Sequence, residues 1–234
     1  MGCLEEEKSL ARLKRVLLFS AIGLLLMLVA CNNSTEEKIH EHLEQAVQIE
    51  NENENSMTEL EQNEQEIYKK IISLSMDDYD EIKKLAKEAS ENIDKRKELL
   101  QAENERYTES KDEFMKTENL IKKLSDEEAE GKAEKMYDTM MERYEAYDEL
   151  YDSYMTILKK EKDLYSLFIE EDTEQEDLTD HLNSLNEDYE SVIETNEKFN
   201  EETEKYNKLK KDFYSSTELD VDYQNDKANK AEKE

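Results

Sequence analysis

The sequence predicts an all-α protein, an elongated antiparallel up-and-down bundle of four long helices with coiled-coil-like seams. Three observations carry that reading. From Glu36 to Tyr214 the apolar residues recur at alternating spacings of three and four, which gathers them on one narrow helical seam. The 234 residues include no proline and three glycines, and only Gly131 lies beyond the first 30 residues. β-rich, Rossmann and P-loop folds need those residues for turns and phosphate approaches, so these classes are excluded. No segment sustains a period of two. With 41% charged and 36% hydrophobic residues, composition alone sits at the border of disorder, and the period places the chain on the folded side.

The elements follow in chain order. Residues 1–30 read as a cleaved lipoprotein signal peptide. A basic stretch (Lys8, Arg12, Lys14, Arg15) precedes an apolar run of 15 residues, Val16 to Ala30, short for a membrane-spanning helix and suited to a signal core. The run ends in Leu28-Val29-Ala30-Cys31, similar to a bacterial lipobox. Cleavage then falls between Ala30 and Cys31, and the Cys31 thiol takes a diacylglycerol, with palmitate-like acyl chains holding the protein to the membrane. Met1-Gly2-Cys3 does not continue as a myristoylation signal, because position 6 is Glu. Residues 31–37 are a lipidated tether, 38–214 the helical bundle domain, and 215–234 a polar tail that loses the repeat and is expected to be disordered.

Within the bundle, the first seam runs through Ile39, Leu43, Ala46, Met57, Leu60, Ile67, Ile71 and Leu74, interrupted by Glu50, Asn53 and Glu64. Its stretch Gln48 to Ser56 has almost nothing to bury and is expected to be solvated or bent. The second seam holds Ile82, Leu85, Ala89, Ile93, Leu100, Tyr107, Phe114, Ile121 and Leu124. The third runs from Ala133 through Tyr137, Met140, Tyr144, Tyr147, Tyr151, Tyr154, Leu158 and Tyr165 to Phe168, and the fourth from Leu178 through Leu182, Leu185, Tyr189, Val192, Phe199 and Tyr206 to Phe213. Ser75-Met76-Asp77-Asp78 offers N-cap side chains after Leu74. Ser125 with Glu128 and Thr173 with Glu176 read as capping boxes. Helices of about 38–48 residues would be roughly 60–70 Å long, and short connections make neighbours antiparallel.

The charge limits the partners. A net charge of -31 excludes nucleic acid, which needs a basic face. Residues 1–30 carry four basic and three acidic side chains, so the chain from Cys31 onward carries -32. Removal of Cys3 with the signal leaves one cysteine, so no internal disulfide or cysteine-based metal site is expected. His40 and His42 are two apart and face different directions on a helix; solvated histidines are the expected reading. Asp220, Asp222 and Asp226 do not make a calcium loop, because Asn225 and Ala231 stand where glycine and glutamate are required. Carboxylates are so abundant that none stands out as an acid/base pair, and no enzyme, metal or cofactor is expected beyond the lipid on Cys31. Tyr144, Tyr147, Tyr151 and Tyr154 fall three, four and three apart. They read first as core seam and second as an exposed aromatic strip that stacks on a glycan or a partner helix.

Taken in order, EEKIHEHLEQAVQIE after the lipobox, EIYKKIISLSMDDYDEI, NIDKRKELL, YDTMMERYEAYDELYDSY and ETNEKFNEETEKYNKLKKDFY resemble the YkyA-like family of Gram-positive lipoproteins, named for cell-wall binding. The resemblance covers roughly Cys31 to Tyr214. It implies a bundle tethered to the outer face of the cytoplasmic membrane, with no catalytic motif to carry over. The expected function is that of a non-catalytic envelope binding or scaffold protein whose partner is a cell-wall polymer or an envelope protein. Two alternatives remain: direct peptidoglycan recognition through the tyrosine face, and capture of a metal or small ligand.

Overall fold

A computed structural model of the chain describes residues 34–51, 56–170, 172–219 and 221. The signal peptide, Ala30, Cys31 and most of the tail, including the rejected calcium loop, lie outside the described residues.

The described chain is an all-α helical bundle. Its helices are α1 (Thr35–Glu50), α2 (Ser56–Ile71), α3 (Tyr79–Met115), α4 (Glu118–Ile121), α5 (Glu127–Leu167) and α6 (Gln175–Tyr214), with a 3-10 turn at Met76–Asp78 ahead of α3. α3, α5 and α6 contain 37, 41 and 40 residues, close to the expected lengths.

Two segments are more broken than their repeat suggests. The first is two helices of 16 residues each, α1 closing where the Asn51 N–H donates to the Val47 carbonyl. The second stops at Met115, and the N–H groups of Lys116 and Thr117 reach back three residues instead of four. The Thr117 hydroxyl donates to the Phe114 carbonyl at 2.7 Å, a local bond that competes with the helical ladder. Ile121 and Leu124 stay buried after the break.

The caps correct the sequence reading by one residue. Ser34 and Glu37 form a capping box at α1 that the repeat did not disclose, with bonds of 3.1 and 2.9 Å. At Ser75, the Asp78 carboxylate accepts from the Ser75 N–H and hydroxyl, as the sequence suggested. α5 is capped by Asp126, whose carboxylate accepts from the Ala129 N–H at 2.8 Å, and not by Ser125. At α6 the Asp177 carboxylate takes the Glu174 N–H at 3.1 Å, and the Thr173 hydroxyl is buried without a bond among the described residues.

The chain forms two compact units, as far as the residues are described. The first takes Met1–Asn53, Glu105–Ala146 and Lys198–Glu234; the second takes Glu54–Asn104 and Tyr147–Glu197. In the first unit, α3 and α5 are antiparallel, since Ser110 meets Tyr144 while Phe114 stacks on Tyr137 with ring centroids 5.2 Å apart. α1 and α6 pair through Glu44 with Lys210 and His40 with Tyr214. The core here is Ile39, Leu43, Phe114, Met136, Met140, Tyr144 and Phe213, each almost fully buried. The second unit closes over Ile67, Ala89, Ile93, Ile157, Leu158 and Val192. Burying each large apolar side chain contributes about 1.5–3 kcal/mol, and this is the main force holding the helices together. All nine seam residues predicted for the second segment are buried.

Candidate functional site

Each unit holds a buried arginine. In the first, Arg143 of α5 is 7% exposed and sits among the rings of Phe199, Tyr107 and Tyr144, its guanidinium carbon 4.8, 5.5 and 6.0 Å from their centroids. It donates to both carboxylate oxygens of Glu50, at 3.1 and 2.9 Å, to the Thr203 hydroxyl at 3.0 Å and to the Tyr107 hydroxyl at 3.2 Å. Ser110 donates to Glu50 at 2.8 Å and lies 2.7 Å from the Tyr144 hydroxyl. Burial alone would lower the arginine pKa, but the Tyr107 and Glu50 oxygens carry it above its ordinary value. Burial pushes the Tyr144 hydroxyl up, helped by Glu50. One cation faces one carboxylate, and the arginine's polar atoms are used.

The second unit is built differently. Arg96 of α3 is 2% exposed and faces three carboxylates: Glu64 and Glu61 of α2 and Glu161 of α5. It binds Glu64 in a short contact and Glu161 at 2.7 Å, and lies 3.7 Å from Glu61. Tyrosine hydroxyls cover the excess charge. Tyr154 donates to Glu61, Tyr189 to Glu161, and Tyr165 to Glu64. Burial pushes all three hydroxyls up, so they remain protonated donors.

One guanidinium cannot compensate three desolvated carboxylates. Burial, and then Glu161, push Glu64 up to about 8 against the opposing pull of Arg96. Burial also raises Glu61, against Arg96 and the Tyr154 bond. Burial and the neighbouring Glu161 thus favour the protonated form of Glu64 above the ordinary carboxylate range. The network joins residues of α2, α3, α5 and α6 within the second unit.

Of the tyrosine strip, Tyr144, Tyr147 and Tyr154 are buried, at 2%, 3% and 6% exposure, and Tyr151 is half-buried. Tyr144 belongs to the first unit and the other three to the second. The exposed-strip reading is therefore corrected: the ring bodies pack inward, and the hydroxyls of Tyr144 and Tyr154 are spent on internal polar partners. The histidines are corrected too, since all three have partners. His40 Nδ1 lies 2.8 Å from the Tyr214 hydroxyl, and burial lowers its pKa. His42 Nδ1 lies 2.6 Å from Glu113, and His181 Nε2 lies 2.7 Å from the Lys160 carbonyl. Among the described residues no group of three His, Cys, Asp or Glu could hold a metal, and no helix is long and apolar enough to cross a membrane.

The residues missed by sequence reasoning left a signal. Ile93 and Leu100, Tyr107 and Phe114, Leu158 and Tyr165, and Val192 and Phe199 are each seven apart, which skips one seam position. Those positions are Arg96, Ser110, Glu161 and Asn196, and all four are buried. Glu50 and Glu64, which interrupt the first seam, each meet one of the two arginines, Arg143 and Arg96.

Long helices joined by buried arginine–carboxylate clusters define the class: an all-α helical bundle with polar groups in its core. The chain belongs to the family described as "YkyA: Putative cell-wall binding lipoprotein", whose model matches residues 34–216. It is 32% identical over 198 residues to "Uncharacterized lipoprotein YkyA" of Bacillus subtilis (strain 168), covering 83% of this chain and 89% of that protein. A solved structure of a conserved protein of unknown function from Staphylococcus aureus is 16% identical with a TM-score of 0.45, covering 79% of this chain and 97% of that one.

Proposed function

We propose that the protein is a lipid-anchored, non-catalytic envelope binding or scaffold protein, held through Cys31 on the outer face of the cytoplasmic membrane. The observation that supports this most is the position of the family match, which begins at residue 34, three residues after the lipobox cysteine of Leu28-Val29-Ala30-Cys31. α1 starts at Thr35 under the Ser34 cap, four residues after Cys31 in the sequence.

The charge constrains how such a protein meets the wall. A chain of -32 is repelled by anionic wall polymers, and screening over roughly 8–10 Å at physiological salt only softens the repulsion. That repulsion disfavours adhesion by general electrostatic attraction, though divalent cations could bridge the two. Wall association runs through a specific site or a protein intermediary.

Replacing Cys31 by Ser, or blocking lipoprotein signal cleavage with globomycin, tests the anchor. Membrane pelleting should be lost in the Cys31→Ser chain. A variant that still pellets quantitatively with membranes would overturn lipid anchoring. Pull-down by purified cell wall, with and without teichoic acid and calcium, separates direct wall binding from a scaffold role.

A further inference from the structure

We propose that the end of the second unit closed by the α2–α3 and α5–α6 connections docks a cationic amphipathic segment of another envelope protein, an inference that names a partner chemistry for the scaffold reading and rests on it. Among the described residues four large apolar side chains are exposed, and three of them lie here: Ile72 at 55%, Met76 at 76% and Ile169 at 41%. Ile72 and Met76 follow α2, and Ile169 follows α5.

The two connections touch. The Tyr79 hydroxyl, at the start of α3 just past Met76, donates to the Ile169 carbonyl at 2.7 Å. Tyr68, whose carbonyl accepts the Ile72 N–H, has its ring 6.5 Å from that of Phe168. All of these residues belong to the second unit. A single exposed apolar side chain is ordinary, whereas several at one place with a polar rim mark a contact surface. Met76 suits such a contact, because its flexible, polarizable side chain adapts to different apolar shapes.

The rim selects the partner. Asp77, Asp78, Glu170, Asp172 and Glu174 are exposed in the same two connections, and neither 72–78 nor 168–174 contains a lysine or arginine. Lys69 and Lys70 close α2 ahead of the first connection, and Lys83 beyond it is paired with Asp80 at 2.9 Å. This rim repels an anionic polymer or an anionic lipid surface, and a second copy would bring the same carboxylates against each other. A small cation answers the charge and leaves Ile72, Met76 and Ile169 in water. A segment with an apolar stripe between lysine or arginine flanks answers both, the stripe meeting the apolar centre and the flanks meeting the acidic rim.

The probe is a short amphipathic peptide of leucine and lysine, titrated by fluorescence anisotropy into the full chain in phosphatidylcholine nanodiscs, with empty discs as reference. A leucine–glutamate peptide and an oligolysine of equal length are its counterparts. The leucine–lysine peptide should bind saturably, and more weakly as salt rises. Leucine–glutamate should not bind, and oligolysine should bind at least tenfold more weakly. The triple change Ile72→Ser, Met76→Ser and Ile169→Ser should weaken binding at least tenfold, and Asp77→Asn with Asp172→Asn should weaken it severalfold and flatten its salt response. Met115→Ser, which removes an exposed apolar side chain of the first unit, should leave it unchanged. Asp77 and Asp172 are exposed, so their double variant remains informative if the triple variant folds poorly. Absence of saturable binding, equal binding of either counterpart, or the same loss from Met115→Ser overturns the surface. Self-association of the chain that the triple variant loses would give the surface to a second copy, and binding to phosphatidylglycerol vesicles lost in the same way would give it to lipid; either result overturns the proposal. If the peptide fails to bind while Cys31→Ser releases the chain from membranes, the docking surface falls and the anchored scaffold reading stands. If the peptide binds while the Cys31→Ser chain still pellets, the surface stands and lipid anchoring falls.

Discussion

Glu50, the last residue of α1, is gripped at both carboxylate oxygens by Arg143 of α5, at 3.1 and 2.9 Å, inside an aromatic cage. A residue that interrupts the apolar repeat thereby becomes the point where the first helix is tied into the core of its unit. Removing one member of such a pair strands the other. Glu50→Gln is expected to cost about 3–5 kcal/mol, while the double change Glu50→Met with Arg143→Leu should be near neutral or stabilising. Urea unfolding of the single and double variants checks this. A single variant as stable as the parent would mean that the pair does not hold α1.

The cluster around Arg96 should make stability fall as pH rises. Glu64 moves from its ordinary 4.5 to about 8, so between those values the native state holds a proton that the unfolded chain has released. The unfolded chain then binds fewer protons, and the unfolding free energy declines with pH. The stabilisation is complete below about pH 4.5 and lost as pH passes about 8, with a limiting slope of roughly 1.4 kcal/mol per pH unit for one group. Glu64→Gln mimics the protonated side chain and should flatten this part of the profile. Melting temperatures from pH 5 to 9 for both chains provide the comparison, and parallel profiles would refute the assignment.

The tyrosines divide by burial. Tyr144, at 2% exposure, packs edge-on against Phe114 at 6.0 Å, whereas Tyr151 is half-buried. Tyr144→Ala should cost about 3–5 kcal/mol and Tyr151→Ala less than half as much. Thermal melts of the two variants decide. Similar losses would contradict the arrangement of the seam.

The α5 cap offers a sharper contrast between neighbours. Asp126 accepts the Ala129 N–H, so Asp126→Ala should cost about 1 kcal/mol, and Ser125→Ala should be close to neutral. Denaturant midpoints should order the variants that way, and the opposite order would restore the capping box read from Ser125 and Glu128.

The all-α class and most of the core were legible because apolar periodicity reports directly which face of a helix is buried. Ile39, Leu43, Phe114, Leu158, Val192 and Phe213 need no tertiary information to be placed. The family was also within reach, through short runs whose order is more distinctive than any one of them.

Interruptions were harder to read. The break after Met115 goes with a Thr117 hydroxyl that donates to the Phe114 carbonyl, and the shift from Ser125 to Asp126 turns on which side-chain oxygen meets one N–H. The difference between the tyrosine readings lay in three dimensions as well, since a stripe at helical spacing looks the same whether it meets another helix or water.

By itself the sequence determined that long amphipathic helices form, where their apolar faces lie, and that the surface is strongly acidic. These are local properties of composition and period. Only the tertiary structure decided what the polar residues on those faces do. Arg96 meets Glu64 across 32 positions and Glu161 across 65, and Arg143 meets Glu50 across 93. A charged residue on an apolar seam is a defect in one helix and a bond once its partner arrives from another. No local pattern specifies that partner, because with 63 acidic side chains in the chain only packing selects the few that are desolvated together.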